Sequence, residues 1–129
     1  MEQTNLPLAD RKYLSGKQYQ YREVNDGAQK GLIIDHFKLP EDKYDLAESS
    51  LLIILPAGYP DVPPDMFYFA PEIRLKSTNT YPLQTEYKEP HFGQTWQRWS
   101  RHAPAENWRA GKDGIRSYLQ RVLTALTIA

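Results

Sequence analysis

Residues 59–64 read Tyr59-Pro60-Asp61-Val62-Pro63-Pro64 and lie between two apolar stretches, residues 51–55 and 66–69. Proline has no backbone N–H and fixes φ, so a segment this rich in proline cannot continue a sheet ladder. It must be a rigid, extended turn with Tyr59 packed over it. The apolar stretches on either side then become adjacent antiparallel strands. On residue chemistry alone this is a proline-rich hairpin connection and nothing more.

The flanking pattern extends the sheet. Tyr19, Tyr21 and Glu23 alternate with Gln20, Arg22 and Val24, and Asn25-Asp26-Gly27 supplies a turn. Residues 30–39 read as a second strand with Leu32, Ile34 and His36 on one face. Residues 49–55 form a third strand and residues 66–69 a short aromatic fourth. The expected core is a four-stranded antiparallel meander, of α+β class once the C-terminal helix is added. In that helix Ile115, Tyr118, Leu119, Val122, Leu123 and Leu126 recur at i, i+3, i+4, i+7. Asp113 stands at its cap position, and Arg116, Gln120 and Arg121 occupy its other face. Residues 70–107 hold Pro71, Pro82, Pro90 and Pro104 without a sustained period, and read as one long ordered loop, a feature that usually carries function. Residues 1–17 are poorly defined, with a short helix capped by Asn5 and ending near Gly16.

A chain of 129 residues fits a single domain spanning 1–129. Its 40% hydrophobic and 25% charged residues separate it from disordered chains. No apolar run approaches the roughly 20 residues that span a membrane. Residues 1–5 have neither the basic nor the apolar region of a signal peptide, so a cytoplasmic setting is expected. A formal net charge of zero argues against nucleic acid as a partner. The charge is uneven, with 9 Lys/Arg against 13 Asp/Glu in residues 1–87 and 7 against 3 in residues 88–129. That split suits an acidic partner meeting the C-terminal part. Three histidines without paired carboxylates at ligand spacing give no metal site, and no cofactor is expected. There is no cysteine, which excludes disulfides, thiolate metal sites and cysteine nucleophiles.

The order of landmarks is similar to that of ubiquitin-conjugating (UBC-like) enzymes: apolar strand, Tyr-Pro-x-x-Pro-Pro, aromatic strand, long loop, Trp, amphipathic helix. Here these are residues 51–55, residues 59–64, residues 66–69, the loop to Asn107, Trp108 and residues 115–128. The block Gly93-Gln94-Thr95-Trp96-Gln97-Arg98-Trp99-Ser100-Arg101-His102 resembles the prokaryotic UBC-like group called family E, whose members look like parts of bacterial ubiquitin-like conjugation operons. The resemblance implies a UBC-like fold with a long active-site loop. It implies a ubiquitin-like protein, its activating enzyme and an acceptor protein as partners, met through Tyr59, Pro60, Pro63, Pro64, Arg98 and Trp99. Three departures stand out. The long first helix that contacts the activating enzyme is not evident. His91-Phe92-Gly93 stands where the family has His-Pro-Asn. Counting back eight from Trp108, the spacing of the family's cysteine, lands on Ser100.

The chemistry implied is acyl transfer, with the ubiquitin-like C-terminus held as an ester and passed on. A serine can carry it as an oxyester if a general base takes its proton. His102 is the candidate base; residues i and i+2 of an extended segment lie roughly 6–7 Å apart, so a local turn is required. Arg101 and Arg98 stand in for the missing Asn at the oxyanion, or attract an acidic acceptor. Two other readings remain open. The chain is a non-catalytic UBC-like binding module, or Ser100 is a Cys→Ser replacement made to trap an ester.

Overall fold

The computed structural model describes residues 6–101 and 107–129. In order, its elements are α1 (Leu8–Gly16), β1 (Gln20–Asn25), β2 (Lys30–Lys38), β3 (Glu48–Leu55), β4 (Phe67–Ala70), β5 (Lys88–His91), β6 (Gln94–Trp99) and α2 (Ile115–Ile128). The strands form one antiparallel sheet in the order β1-β2-β3-β4-β6-β5. The first four make the expected meander, and the proline turn does join the adjacent strands β3 and β4.

Two additional strands correct the four-strand reading. Part of the expected loop is the β5–β6 hairpin, and β6 pairs with β4 through Phe67↔Trp99 and Phe69↔Gln97. The hairpin is compatible with Pro90 because β5 is the sheet edge, where a missing N–H costs no ladder bond. The short N-terminal helix ends at Gly16 as expected. This helix, α1, starts after Pro7, with no side-chain cap on its first turn, while Asn5 lies outside the described residues.

The sheet separates two apolar layers by strand alternation. On the inner face Leu32, Ile34, Leu51, Ile53, Phe67, Phe69 and Trp99 meet Leu14 of α1 and Ile115, Leu119, Val122 and Leu126 of α2. On the outer face Ile33, Leu52, Tyr68, Ala70 and Trp96 form a second cluster with Phe92 packed against it. His36 does not join the inner row. One extra residue shifts the β2–β3 register between Ile34 and Phe37, and His36 sits in that bulge at φ 55°, exposed and paired with Glu48.

The hairpin tip folds over the outer face. Its central residues Phe92 and Gly93 both have positive φ (53° and 76°), as a two-residue hairpin turn requires. The Phe92 ring lies so close to Gly31 that a Cβ there would be 3.0 Å from it. His91 Nδ1 meets Gln29 Oε1 in the β1–β2 turn at 2.9 Å, its ring sits edge-on to Tyr68, and Trp96 Nε1–H donates to the His91 carbonyl.

Candidate functional site

Ser100 is half-buried and follows the last residue of β6. The residue before it and the Trp108 landmark after it are each anchored. Upstream, Trp99 is fully buried, stacked on Phe67 with ring centroids 5.5 Å apart and edge-on to Phe69 and Tyr44. The Trp99 indole N–H donates to Gln97 Oε1 at 3.2 Å. Gln97 is itself buried and pairs its amide with both backbone groups of Ile73, at 3.0 and 2.9 Å. Downstream, the Trp108 indole N–H donates to the Pro60 carbonyl at 2.8 Å. The chain from Ser100 to Trp108 is thus tethered at one end in the core and at the other on the proline turn.

Beside Ser100 runs the loop holding Leu83 and Gln84. The Ser100 amide donates to the Gln84 carbonyl at 3.4 Å. Arg101 Nη1 donates to the Leu83 carbonyl at 2.9 Å and to the Ser100 carbonyl at 3.1 Å, and the guanidinium lies 5.0 Å from the Trp99 ring centroid. Burial lowers the Arg101 pKa, partly opposed by Tyr44. Arg101 therefore clamps the loop to the end of β6. It also borders an open groove of about 430 Å³ between Phe67 and the α2 residues Tyr118, Arg121 and Ala125.

The remaining expected site residues separate into distinct places. Arg98 is not beside Ser100's clamp: it projects from β6 on the outer face, where Nη1 meets Glu89 Oε2 at 2.7 Å and the guanidinium lies 4.3 Å over the Tyr87 ring. Burial raises the Glu89 pKa, but hydrogen bonds from His91 and Arg98 outweigh it, and the carboxyl titrates below its ordinary range. Trp99 is wholly enclosed, so it offers no surface to a partner. Pro64 is buried as well, while Pro60 and Pro63 are half-buried. Tyr59 points inward, donating its hydroxyl to Asp10 Oδ2 at 2.5 Å. His102 lies outside the described residues.

His91-Phe92-Gly93 cannot act at Ser100. Gln94 lies six residue steps of extended chain from Ser100, which is about 20 Å at strand rise. The segment is a hairpin tip, and the counterpart of the family's Asn has to be sought elsewhere. The structural role of Asp10 was not readable from sequence, because an acid in a first helical turn ordinarily faces water. Nor was the Leu83–Gln84 loop, which meets Ser100 only once β6 has formed.

Among the described residues, no group of three or more His, Asp or Glu side chains is placed to hold a metal ion. No described helix is long and apolar enough to cross a membrane.

The family model described as prokaryotic E2 family E matches residues 6–129. Neither a curated protein nor a solved structure matches the chain.

Proposed function

Since the chain belongs to prokaryotic E2 family E, with a role in ubiquitin-like conjugation, we propose that it is the acyl carrier of such a pathway and uses Ser100 in place of cysteine. The observation that carries this reading is the two-ended tether of the segment that begins at Ser100, with Trp99 in the core and Trp108 on Pro60. A half-buried serine whose backbone is held at the end of a core strand suits a group that must meet one large partner to load and another to unload.

In the loading step Ser100 Oγ attacks the C-terminal carbonyl carbon of the ubiquitin-like protein, activated as a thioester on the activating enzyme. The C–O bond forms, the C–S bond breaks, the thiolate leaves, and the hydroxyl proton passes to a general base. His102 is the assigned base. In the unloading step an acceptor amine attacks the same carbon, the C–N bond forms, the C–O bond breaks, and Ser100 Oγ regains a proton. Arg101, whose guanidinium is bonded to the Ser100 carbonyl, acts here as a positioning residue.

A second reading has its own support. The chain has no cysteine, and among the described residues no carboxylate or imidazole is hydrogen-bonded to Ser100. A binding module that holds a ubiquitin-like protein without carrying it needs neither. Mixing the protein with its activating enzyme, ATP and the ubiquitin-like protein separates the two. The carrier gives an adduct that survives reducing agents, is cleaved by hydroxylamine and is absent in Ser100→Ala. Binding without any adduct establishes the module.

A further inference from the structure

The tip of the β5–β6 hairpin is held to the β1–β2 turn through one side chain. His91 closes β5, and its side chain is only 11% exposed. Nε2 lies 3.0 Å from Glu89 Oε1 on the same strand, and Nδ1 lies 2.9 Å from Gln29 Oε1 in the turn. Both ring nitrogens therefore face oxygen acceptors. A neutral imidazole carries one N–H and one lone pair, so it satisfies one of these contacts and sets a lone pair against oxygen at the other. Only the imidazolium donates to both.

The neighbouring groups do not supply the missing proton. Glu89 Oε2 takes the Arg98 guanidinium of β6 at 2.7 Å, and Oε1 also accepts from the Tyr68 hydroxyl of β4 at 3.2 Å. The Glu89 carboxyl titrates below its ordinary range, so it is an anion wherever histidines change charge. Tyr68 stands edge-on to the His91 ring with centroids 4.9 Å apart, and burial pushes its phenol up to about 12. In the β1–β2 turn Asp26 is turned onto the Ala28 and Gln29 amides, and on β5 Lys88 is paired with Glu72. Histidine is the side chain that ordinarily changes charge between about pH 5 and 8, and none of these neighbours is of that kind.

We propose that His91 is a proton-operated latch for the hairpin tip. As an imidazolium it bridges Glu89 and Gln29 and keeps the tip on the β1–β2 turn. As a neutral imidazole it turns one of the two bridges into a repulsion, and the tip lets go. What the tip covers gives the latch its consequence. Phe92 packs against the outer-face cluster of Ile33, Leu52, Tyr68, Ala70 and Trp96, and its ring would lie 3.0 Å from a Cβ at Gly31. Release uncovers this apolar face. Docking is therefore complete at the acid end of the histidine range and is lost as pH rises. The latch does not depend on the chemistry at Ser100.

The test follows the isotope-labelled full chain by NMR from about pH 5 to about pH 8. At the acid end both His91 ring nitrogens should carry protons, and the Gly31 α-protons should be displaced by the Phe92 ring beside them. As pH rises His91 should become neutral, and the Gly31 displacement should collapse with the same midpoint. Exchange of the Trp96 indole N–H, which donates to the His91 carbonyl, should speed up by about tenfold or more. His91→Gln should remove this transition. Gln29→Glu, which sets a second carboxylate against the ring, should move it to higher pH. His36→Gln, at the exposed bulge, should leave it unaltered. The proposal is overturned if His91 keeps one charge state throughout. It is overturned if the Gly31 displacement persists once His91 is neutral, which would mean that the Gln29 amide presents its NH₂ to the ring. A transition that survives in His91→Gln, disappears in His36→Gln or fails to rise in Gln29→Glu overturns it equally.

Discussion

Tyr59 and Asp10 are joined by a hydrogen bond of 2.5 Å from the phenol to the carboxylate, linking the proline turn to α1. The other oxygen of Asp10 accepts from the Ile115 amide, so the same side chain caps α2 from outside that helix. Three elements remote in sequence meet at one buried acid. Burial, and then the bond to Asp10, push the Tyr59 phenol far above its ordinary range. This contact explains why Tyr59 faces inward and why α2 starts at Ile115 with only Gly114 at its own cap position.

Asp10→Ala leaves two buried donors without an acceptor. At about 1–3 kcal/mol for each, the expected loss is about 2–6 kcal/mol. Tyr59→Phe removes one of the two bonds and should cost about 1–3 kcal/mol. The two changes share a partner, so the double variant should lose less than the sum. Urea unfolding measures all three; strict additivity would mean that the bond contributes nothing.

Gly114 and Gly111 separate close packing from backbone conformation. Gly114 has an extended φ of −164°, which any residue adopts, yet a Cβ there would lie 2.6 Å from Asp10 Oδ1. Gly114→Ala must displace a carboxylate held by two hydrogen bonds, and should cost about 1–3 kcal/mol. At Gly111 nothing lies within 4 Å of an added Cβ, but φ is +82°. Gly111→Ala should then cost about 1–2 kcal/mol through left-handed strain alone. Combining Gly114→Ala with Asp10→Ala should add little further loss, whereas Gly111→Ala should add in full.

The elements legible in the sequence were those long enough to show a period. Residues 115–128 carry Ile115, Leu119, Val122 and Leu126 on one face, and all are buried against the sheet. Strand β3 is almost continuously apolar because both of its faces are covered. The β5–β6 hairpin gave no such signal. Strand β5 has four residues including Pro90, and its turn is Phe92-Gly93 instead of Asn-Gly or Asp-Gly. Gln97 occupies a core position as a satisfied amide, which breaks the apolar alternation. Counting back from Trp108 reaches Ser100 only through the resemblance, and nothing in the residues around it would otherwise single it out. Arg98 meets Glu89 and Arg101 meets the Leu83 carbonyl only because the hairpin and the loop fold back on β6, so no local pattern reveals that both are already occupied.

Stability should fall at both ends of the pH scale, for opposite reasons. Hydrogen bonds from the Arg109 amide, the Arg109 side chain and Ser117 hold the Asp113 carboxyl down at about 2. A depressed folded pKa stabilises above the ordinary carboxylate value and is lost as pH falls through the folded one, here from about pH 4 toward about pH 2. Burial raises the phenols of Tyr44 and Tyr68 from 10.0 to about 12. A raised folded pKa stabilises fully below pH 10 and is lost as pH climbs toward about 12. Unfolding followed across pH should show both limbs, and Asp113→Asn should flatten only the acid one. Tyr44→Phe should flatten only the alkaline one.

Arg101 gives the sharpest separation between clamping and steering. If its positive charge recruited an acidic partner, Arg101→Lys would act nearly like wild type. The geometry assigns it a different job, because Nη1 serves the Leu83 and Ser100 carbonyls together while the guanidinium lies over Trp99. A lysine ammonium is a point donor that cannot reproduce a planar fork stacked on an indole. Arg101→Lys and Arg101→Ala should therefore both loosen the Leu83–Gln84 loop from the end of β6. The readout is hydrogen exchange at the Ser100 amide, whose acceptor is the Gln84 carbonyl. It should speed up by about tenfold or more in either variant, while amides of β3 keep their protection. Arg98→Glu offers the contrast. It sets a carboxylate against Glu89 and should open the β5–β6 hairpin, leaving the Ser100 amide less affected than the hairpin amides. Wild-type exchange at Ser100 in Arg101→Lys would return Arg101 to a role of charge alone.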